Sequence, residues 1–282
     1  MRSCCVCLCA LSFFLVLHAC PIFAQGVHPS SASASAEPIQ KDAAGVAILD
    51  KMLATAGWGT VGNPADLVAS GTITYFAGSD PQTRSVRYKL LGTSEASTEI
   101  TVDAGTTQTI SNGKTAATIL PDGTASRLPS YLAHSMRQEI FPFLAPVIGP
   151  NDSDVSVSVV GTRQINADLC TGVALARRLE RTDPRASLED IVSPITIWIS
   201  SSTYLPVEID SVLTSIDNYR ALLHLSRTFS DYRAIQGLAI PFHQEEAIEG
   251  QRASVLDLTE VQLNTGLTDA DFPVPATEGG RP

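Results

Sequence analysis

Hydrophobic and polar residues alternate along most of this chain beyond residue 66. Residues 67–75, 86–90, 155–159 and 195–199 each place apolar side chains at every second position. A period of two predicts β-strands with one apolar and one polar face. The pattern recurs in about a dozen segments joined mostly by short turns, so successive strands are expected to pair antiparallel. The predicted architecture is one large, strongly curved antiparallel sheet.

Two segments follow a helical period instead. Asp42 is placed to cap a helix over residues 43–56, and Gly57 is placed to end it. The apolar stripe of this helix comprises Val46, Leu49, Leu53 and Ala56. A second helix is predicted in the long connection at residues 130–149, ending at Pro142. The fold class is therefore mainly β with helices (α+β), and the sheet is expected to wrap around one or two helices.

Asn112 and Gly113 separate two strand-like runs, residues 107–111 and 114–120. This dipeptide is the strongest short-range signal for a β-hairpin, because both central positions of the turn favour positive φ. A tight hairpin is predicted here.

The first 24 residues are typical of a secretory signal peptide. Arg2 precedes a long apolar run, and Ala24 is a small residue at its exit. An uncleaved membrane anchor and a lipoprotein acylated at Cys20 are alternatives. Residues 25–41 are rich in serine and alanine and are interpreted as a flexible tether. Residues 42–275 are the predicted domain, and residues 276–282 a disordered tail.

The charge and the cysteine content of the chain exclude some functions and a disulfide-based fold. The chain has 282 residues, and 19 basic against 29 acidic side chains give a net charge of −10, which argues against nucleic-acid binding. Five of the six cysteines lie in the leader. Cys170 is therefore expected to be a buried core residue without a disulfide partner.

No recognised catalytic or metal-binding motif occurs in the chain. His134 and Glu139 diverge by about 140° on a helix. His243 and Glu245 share one face of a strand but supply only two ligands, whereas zinc normally takes at least three from the protein. His224 alternates with leucines and is expected on the outer face. We predict no catalytic residue, no metal site and no cofactor.

A group of large apolar residues surrounds the long connection. Its members are Tyr131, Leu132, Met136, Phe141 and Phe143. If this segment crosses the concave face of the sheet, these side chains and Trp198 would line the mouth of a hydrophobic binding cavity. The alternative is that they fill the core, since aromatic side chains are usually buried.

Three segments resemble the outer-membrane lipoprotein carrier fold, the family of LolA, LolB and RseB. They read SDYRAIQGLAIPF at 230–242, WISSSTYLPV at 198–207 and LTEVQLNTGLTDADFPVP at 258–275. The resemblance covers about residues 43–275. It implies an open half-barrel of about eleven antiparallel strands wrapped on helices.

The resemblance also implies a function. Its best-known members hold acyl chains in the concave cavity, so a non-enzymatic periplasmic or secreted binding protein for a lipid, an acylated protein or another hydrophobic ligand is expected. Possible further partners are other proteins of the cell envelope. The alternative is a structural or sensory interaction domain with a filled groove.

Overall fold

The computed structural model describes residues 39–58, 64–76, 78, 80–92, 95–128, 153–177, 194–214 and 222–275. The helix is α1 (Ala43–Thr55). The strands are β1 (Asp66–Tyr75), β2 (Gln82–Leu91), β3 (Glu95–Val102), β4 (Gly105–Ser111), β5 (Ala116–Ile119), β6 (Ala125–Leu128), β7 (Val155–Ile165), β8 (Asp168–Arg177), β9 (Ile195–Ser200), β10 (Pro206–Thr214), β11 (Leu222–Ile235), β12 (Leu238–Ile248) and β13 (Gln251–Leu263). A 3-10 turn, η1 (Asp269–Asp271), follows β13.

All thirteen strands belong to one antiparallel sheet in the order β6-β5-β4-β3-β2-β1-β13-β12-β11-β10-β9-β8-β7. Two meanders, β1 to β6 and β7 to β13, are joined where β1 pairs with β13. The sheet curves around α1 without closing into a barrel, which confirms the predicted half-barrel fold class. The described chain has thirteen strands rather than about eleven, because the short β5 and β6 extend one edge.

Helix α1 packs on the sheet through one narrow face. Asp42 caps it by accepting a hydrogen bond of 2.9 Å from the backbone N–H of Ala44. The buried residues of the helix are Gly45, Leu49 and Met52. The predicted stripe faces the sheet: Leu49 and Ala56 are buried, and the partly buried Val46 and Leu53 pack against the helix cluster. Gly45 permits the close approach of α1 to β7, because a Cβ there would lie 3.0 Å from Cγ1 of Val157.

The chain enters the fold along the exposed edge of β7. Lys41 forms a parallel bridge with Val157. The backbone of Val157 donates to the Gln40 carbonyl and accepts from the Asp42 N–H, both at 2.9 Å. The last residues of the predicted tether thus pair with the sheet edge, which reduces the number of unpaired backbone groups there.

Within the described ranges, no helix reaches the length and apolar character that a membrane span requires. The predicted second helix at residues 130–149 lies outside the described residues, as do the leader, most of the predicted tether and the tail.

Candidate functional site

The face of the sheet that carries α1, here called the inner face, holds two apolar clusters. The helix cluster joins α1 to β7–β11 and comprises Leu49, Met52, Val155, Val157, Val173, Leu175, Ile197, Ile199, Ile209 and Phe229. The strand cluster covers β1–β3, β12 and β13 and comprises Leu67, Ala69, Ile73, Val86, Tyr88, Leu90, Ala96, Leu238, Ile240, Phe242, Leu256, Leu258, Val261 and Leu263. Trp58, just after α1, packs against both.

The two clusters differ in what contacts them. Helix α1 contributes Leu49 and Met52 to the helix cluster. Among the described residues, Trp58 is the only apolar side chain from outside the strands that packs on the strand cluster. The inner face of β1–β3, β12 and β13 is a continuous layer of apolar side chains, each at most 7% exposed in the structure.

A buried polar group lies on the inner face beside the strand cluster. On β12, Gln244 and Glu246 continue the series begun by Leu238, Ile240 and Phe242. Glu246 pairs with Arg227 of the neighbouring strand β11, at 2.6 Å between Oε2 and Nη2. Both side chains of this ion pair are only 11% exposed. Burying two charges is costly unless they are paired, so this contact neutralises both.

Gln244 has no such partner. The residue is 4% exposed, and its buried Nε2 donor has no acceptor among the described residues. The same is true of the buried indole N–H of Trp58, at Nε1, in this part of the chain. Most buried polar groups in proteins form hydrogen bonds, so two unpaired donors on one apolar face are unusual.

Trp198 lies on the opposite, outer face of the sheet. It alternates with Ile197 and Ile199 of the helix cluster, so its ring points the other way. Its Nε1 donates to Oδ2 of Asp210 at 2.7 Å, and the Arg163 guanidinium stacks 4.0 Å from the ring centroid. The ring occupies the space that a Cβ on Gly172 would need. The structure therefore removes Trp198 from the proposed concave lining.

The other predicted cavity residues lie outside the described residues. They are Tyr131, Leu132, Met136, Phe141 and Phe143, and His134 and Glu139 lie there too. Their proposed place at the mouth of a cavity stays a prediction.

His243 lies on the outer face, within a network of ion pairs. Its Nδ1 is 2.6 Å from Asp257 and its Nε2 is 3.3 Å from Glu245. Desolvation lowers the pKa of His243, but the hydrogen bonds and charges of Asp257 and Glu245 outweigh it and raise the pKa above its ordinary value. Arg252 also pairs with Glu245, at 3.1 Å. This arrangement links β12 to β13 electrostatically.

Cys170 is buried, as the sequence analysis expected. Within the described chain it forms no disulfide. Burial and the charge of Asp168 raise the pKa of its thiol despite the opposing influence of Arg163. In the ranges given above, no group of three or more histidine, cysteine, aspartate or glutamate side chains is arranged to hold a metal ion.

Solved structures share this half-barrel. A putative outer membrane lipoprotein-sorting protein domain from Vibrio parahaemolyticus is 16% identical, with a TM-score of 0.51 over 81% of this chain and 96% of that one. A LolA superfamily protein from Nitrosomonas europaea is 16% identical, with a TM-score of 0.52 over 79% and 96%. A DUF1329 family protein from Desulfovibrio piger is 15% identical, with a TM-score of 0.55 over 83% and 98%.

These likenesses show the fold. The chain has the LolA-like half-barrel, as the sequence resemblance predicted. No protein-family model matches the sequence, and no curated protein matches it significantly.

Proposed function

We propose that this protein is an exported, non-enzymatic binding protein that holds a hydrophobic ligand against the inner face of its half-barrel. The observation that supports the proposal is the strand cluster, a continuous layer of buried apolar side chains on the inner face of β1–β3, β12 and β13. Each methylene that such a surface removes from water contributes about 0.8 kcal/mol. An acyl chain is long and apolar enough to gain many such contacts, so lipids and acylated proteins are the ligands that this face favours.

Two further observations support export and the proposed kind of binding protein. The leader at residues 1–24 has the composition of a secretory signal peptide, which supports a periplasmic or secreted location. The solved structure from Vibrio parahaemolyticus is described as a putative lipoprotein-sorting protein domain, and it shares this fold. Carriage of a lipid or an acylated protein, with contacts to other proteins of the cell envelope, is the activity we propose.

Filling the inner face with a larger side chain tests this proposal. Ala69 on β1 belongs to the strand cluster and is 1% exposed. Ala69→Phe should weaken binding of a fatty acid bearing an environment-sensitive fluorophore by about tenfold or more, because the ring displaces roughly two methylenes of ligand. The measurement is a fluorescence titration of purified protein, with thermal melting followed in parallel.

Thr72→Phe is the matched control, since Thr72 lies on the same strand and faces outward. It should leave probe binding unchanged. Wild-type protein that melts cooperatively but binds no apolar probe would refute the proposal. Loss of cooperative folding in Ala69→Phe would indicate a groove filled by the chain itself, because overpacking a close-packed core is destabilising.

A further inference from the structure

Two buried hydrogen-bond donors on the inner face have no acceptor within the described ranges. Gln244 is 96% buried, and its Nε2 makes no hydrogen bond to any described residue. The indole N–H of Trp58 likewise has no acceptor there. A buried donor that makes no hydrogen bond costs about 1–3 kcal/mol. A ligand that brings oxygen atoms to this face would recover that cost, whereas a plain hydrocarbon would not.

The surroundings of Gln244 determine which kind of oxygen atom its Nε2 can donate a hydrogen bond to. Across the strands, Gln244 lies between Phe229 of β11 and Leu256 of β13, which are both buried and apolar. One step along the inner face of β12, Glu246 is already paired with Arg227. The Gln244 side chain is itself neutral and cannot balance a buried anion, so this position favours a neutral acceptor over a charged one.

The inner face of β12 is apolar from Gln244 towards the start of the strand. Leu238, Ile240 and Phe242 extend from Gln244 along the same face, towards Trp58. The backbone N–H of Ala239 donates to the Ala56 carbonyl at 3.0 Å, which places the end of α1 against this part of β12. An amphiphile lying along β12 would thus have apolar contacts between two donor positions.

We propose that Gln244 donates a hydrogen bond to a neutral carbonyl or ester oxygen of the hydrophobic ligand, and that Trp58 offers a second donor to a ligand that carries a second such oxygen. The site would then favour an acyl ester over a hydrocarbon of the same length. This inference rests on the proposed function, because it names the polar part of the ligand held on the inner face.

A competition experiment tests it with defined probes. Methyl palmitate and octadecane, each delivered in cyclodextrin, are compared for displacement of the fluorescent fatty acid from the full chain. Wild-type protein should prefer methyl palmitate by about tenfold, the worth of roughly one hydrogen bond. Gln244→Leu should abolish most of that preference while retaining affinity for octadecane.

Gln262→Leu is the matched control, because Gln262 is exposed on the outer face of β13. It should keep the wild-type preference. Gln244→Met removes the same donor and keeps an unbranched side chain, so it provides a second test should Gln244→Leu fail to fold. It should reduce the preference about threefold or more.

The outcomes separate this inference from the proposed function. Equal displacement by the ester and the hydrocarbon in wild-type protein would overturn the inference alone, and would indicate that water satisfies the two donors. A preference that survives both Gln244→Leu and Gln244→Met would also overturn it. Displacement by neither compound, with no binding of the fluorescent probe, would instead contradict the proposed function.

Discussion

Asp66→Ala should lower the free energy of unfolding by about 3–4 kcal/mol. Asp66 is 4% exposed and lies at the start of β1. Its carboxylate accepts hydrogen bonds from the N–H and Oγ of Thr265, both at 2.6 Å, and from the N–H groups of Gly266 and Leu267 at 2.8 and 3.1 Å. Alanine leaves all four donors without this acceptor. Water can reach Thr265 and Gly266, so the loss is smaller than four full hydrogen bonds. Urea denaturation measures it.

The same carboxylate should make stability depend on acid pH. Desolvation alone would raise the pKa of Asp66, but the hydrogen bonds from Thr265, Gly266 and Leu267 together lower it below its ordinary value. A carboxyl whose pKa is lower in the folded state stabilises the fold fully above its unfolded pKa of about 3.9, and this contribution is lost as the pH falls through the folded pKa. The stability difference between wild type and Asp66→Asn should therefore shrink below about pH 4.

Asp103→Asn is the control for this series, because Asp103 is exposed in the turn between β3 and β4. It should leave both the stability and its pH dependence within about 0.5 kcal/mol of wild type. An Asp66→Ala variant as stable as Asp103→Asn would show that the closing segment after β13 is not held by this carboxylate.

Gly57→Ala should destabilise the protein by at least about 3 kcal/mol. Gly57 has φ of 90°, in the region that favours glycine. A Cβ there would lie only 2.1 Å from the Gly237 carbonyl oxygen, at the turn between β11 and β12. Since backbone cannot rotate away as a side chain can, the end of α1 would have to move from the sheet. Thermal and urea denaturation of the purified variant measure the loss.

Gly123→Ala isolates the contribution of that close contact. Gly123 has φ of 83°, but a Cβ there would meet no heavy atom within 4 Å. It should therefore cost only about 1 kcal/mol, the price of the strained backbone. Equal losses in the two variants would contradict the close packing of α1 against the β11–β12 turn.

The alternating pattern predicted the sheet well because side-chain direction in a strand has a fixed period. Local backbone detail was harder to predict. The hairpin at Asn112 and Gly113 is present between β4 and β5, but its loop spans residues 112–115 and only Gly113 has positive φ. The Asn112 side chain instead accepts hydrogen bonds from the N–H groups of Lys114 and Thr115, at 3.1 and 2.9 Å. The side chain stabilises this turn in place of the expected backbone conformation.

The candidate site was harder to predict because its polar residues lie within apolar strands. Gln244 and Glu246 occupy the same alternate positions as Ile240 and Phe242, and Arg227 shares its series with Leu225 and Phe229. The two residues of β12 that the sequence analysis considered as metal ligands, His243 and Glu245, lie on the outer face of the strand. The signal in the sequence that could have identified this site was a polar residue at a position where the strand alternation places apolar residues.

The same alternation applied to Trp198 predicts its outward direction. Ile195, Ile197 and Ile199 occupy the inner positions of β9, so the tryptophan between them lies outside. Trp198 was expected in the lining because the long connection was predicted to cross the concave face, but the strand period decides which face a side chain occupies. The predicted contribution of residues 131–143 lies beyond the described chain and stays a prediction.

Photochemical labelling tests the central claim most directly. A palmitate ester with a diazirine in its acyl chain is bound to the full chain, irradiated, and mapped by mass spectrometry at the level of single residues. Adducts should fall on inner-face residues of the strand cluster, such as Val86, Leu90 and Leu258. Adducts confined to the outer-face cleft lined by Val68, Ser70, Arg87, Glu260 and Gln262 would contradict a ligand held on the inner face.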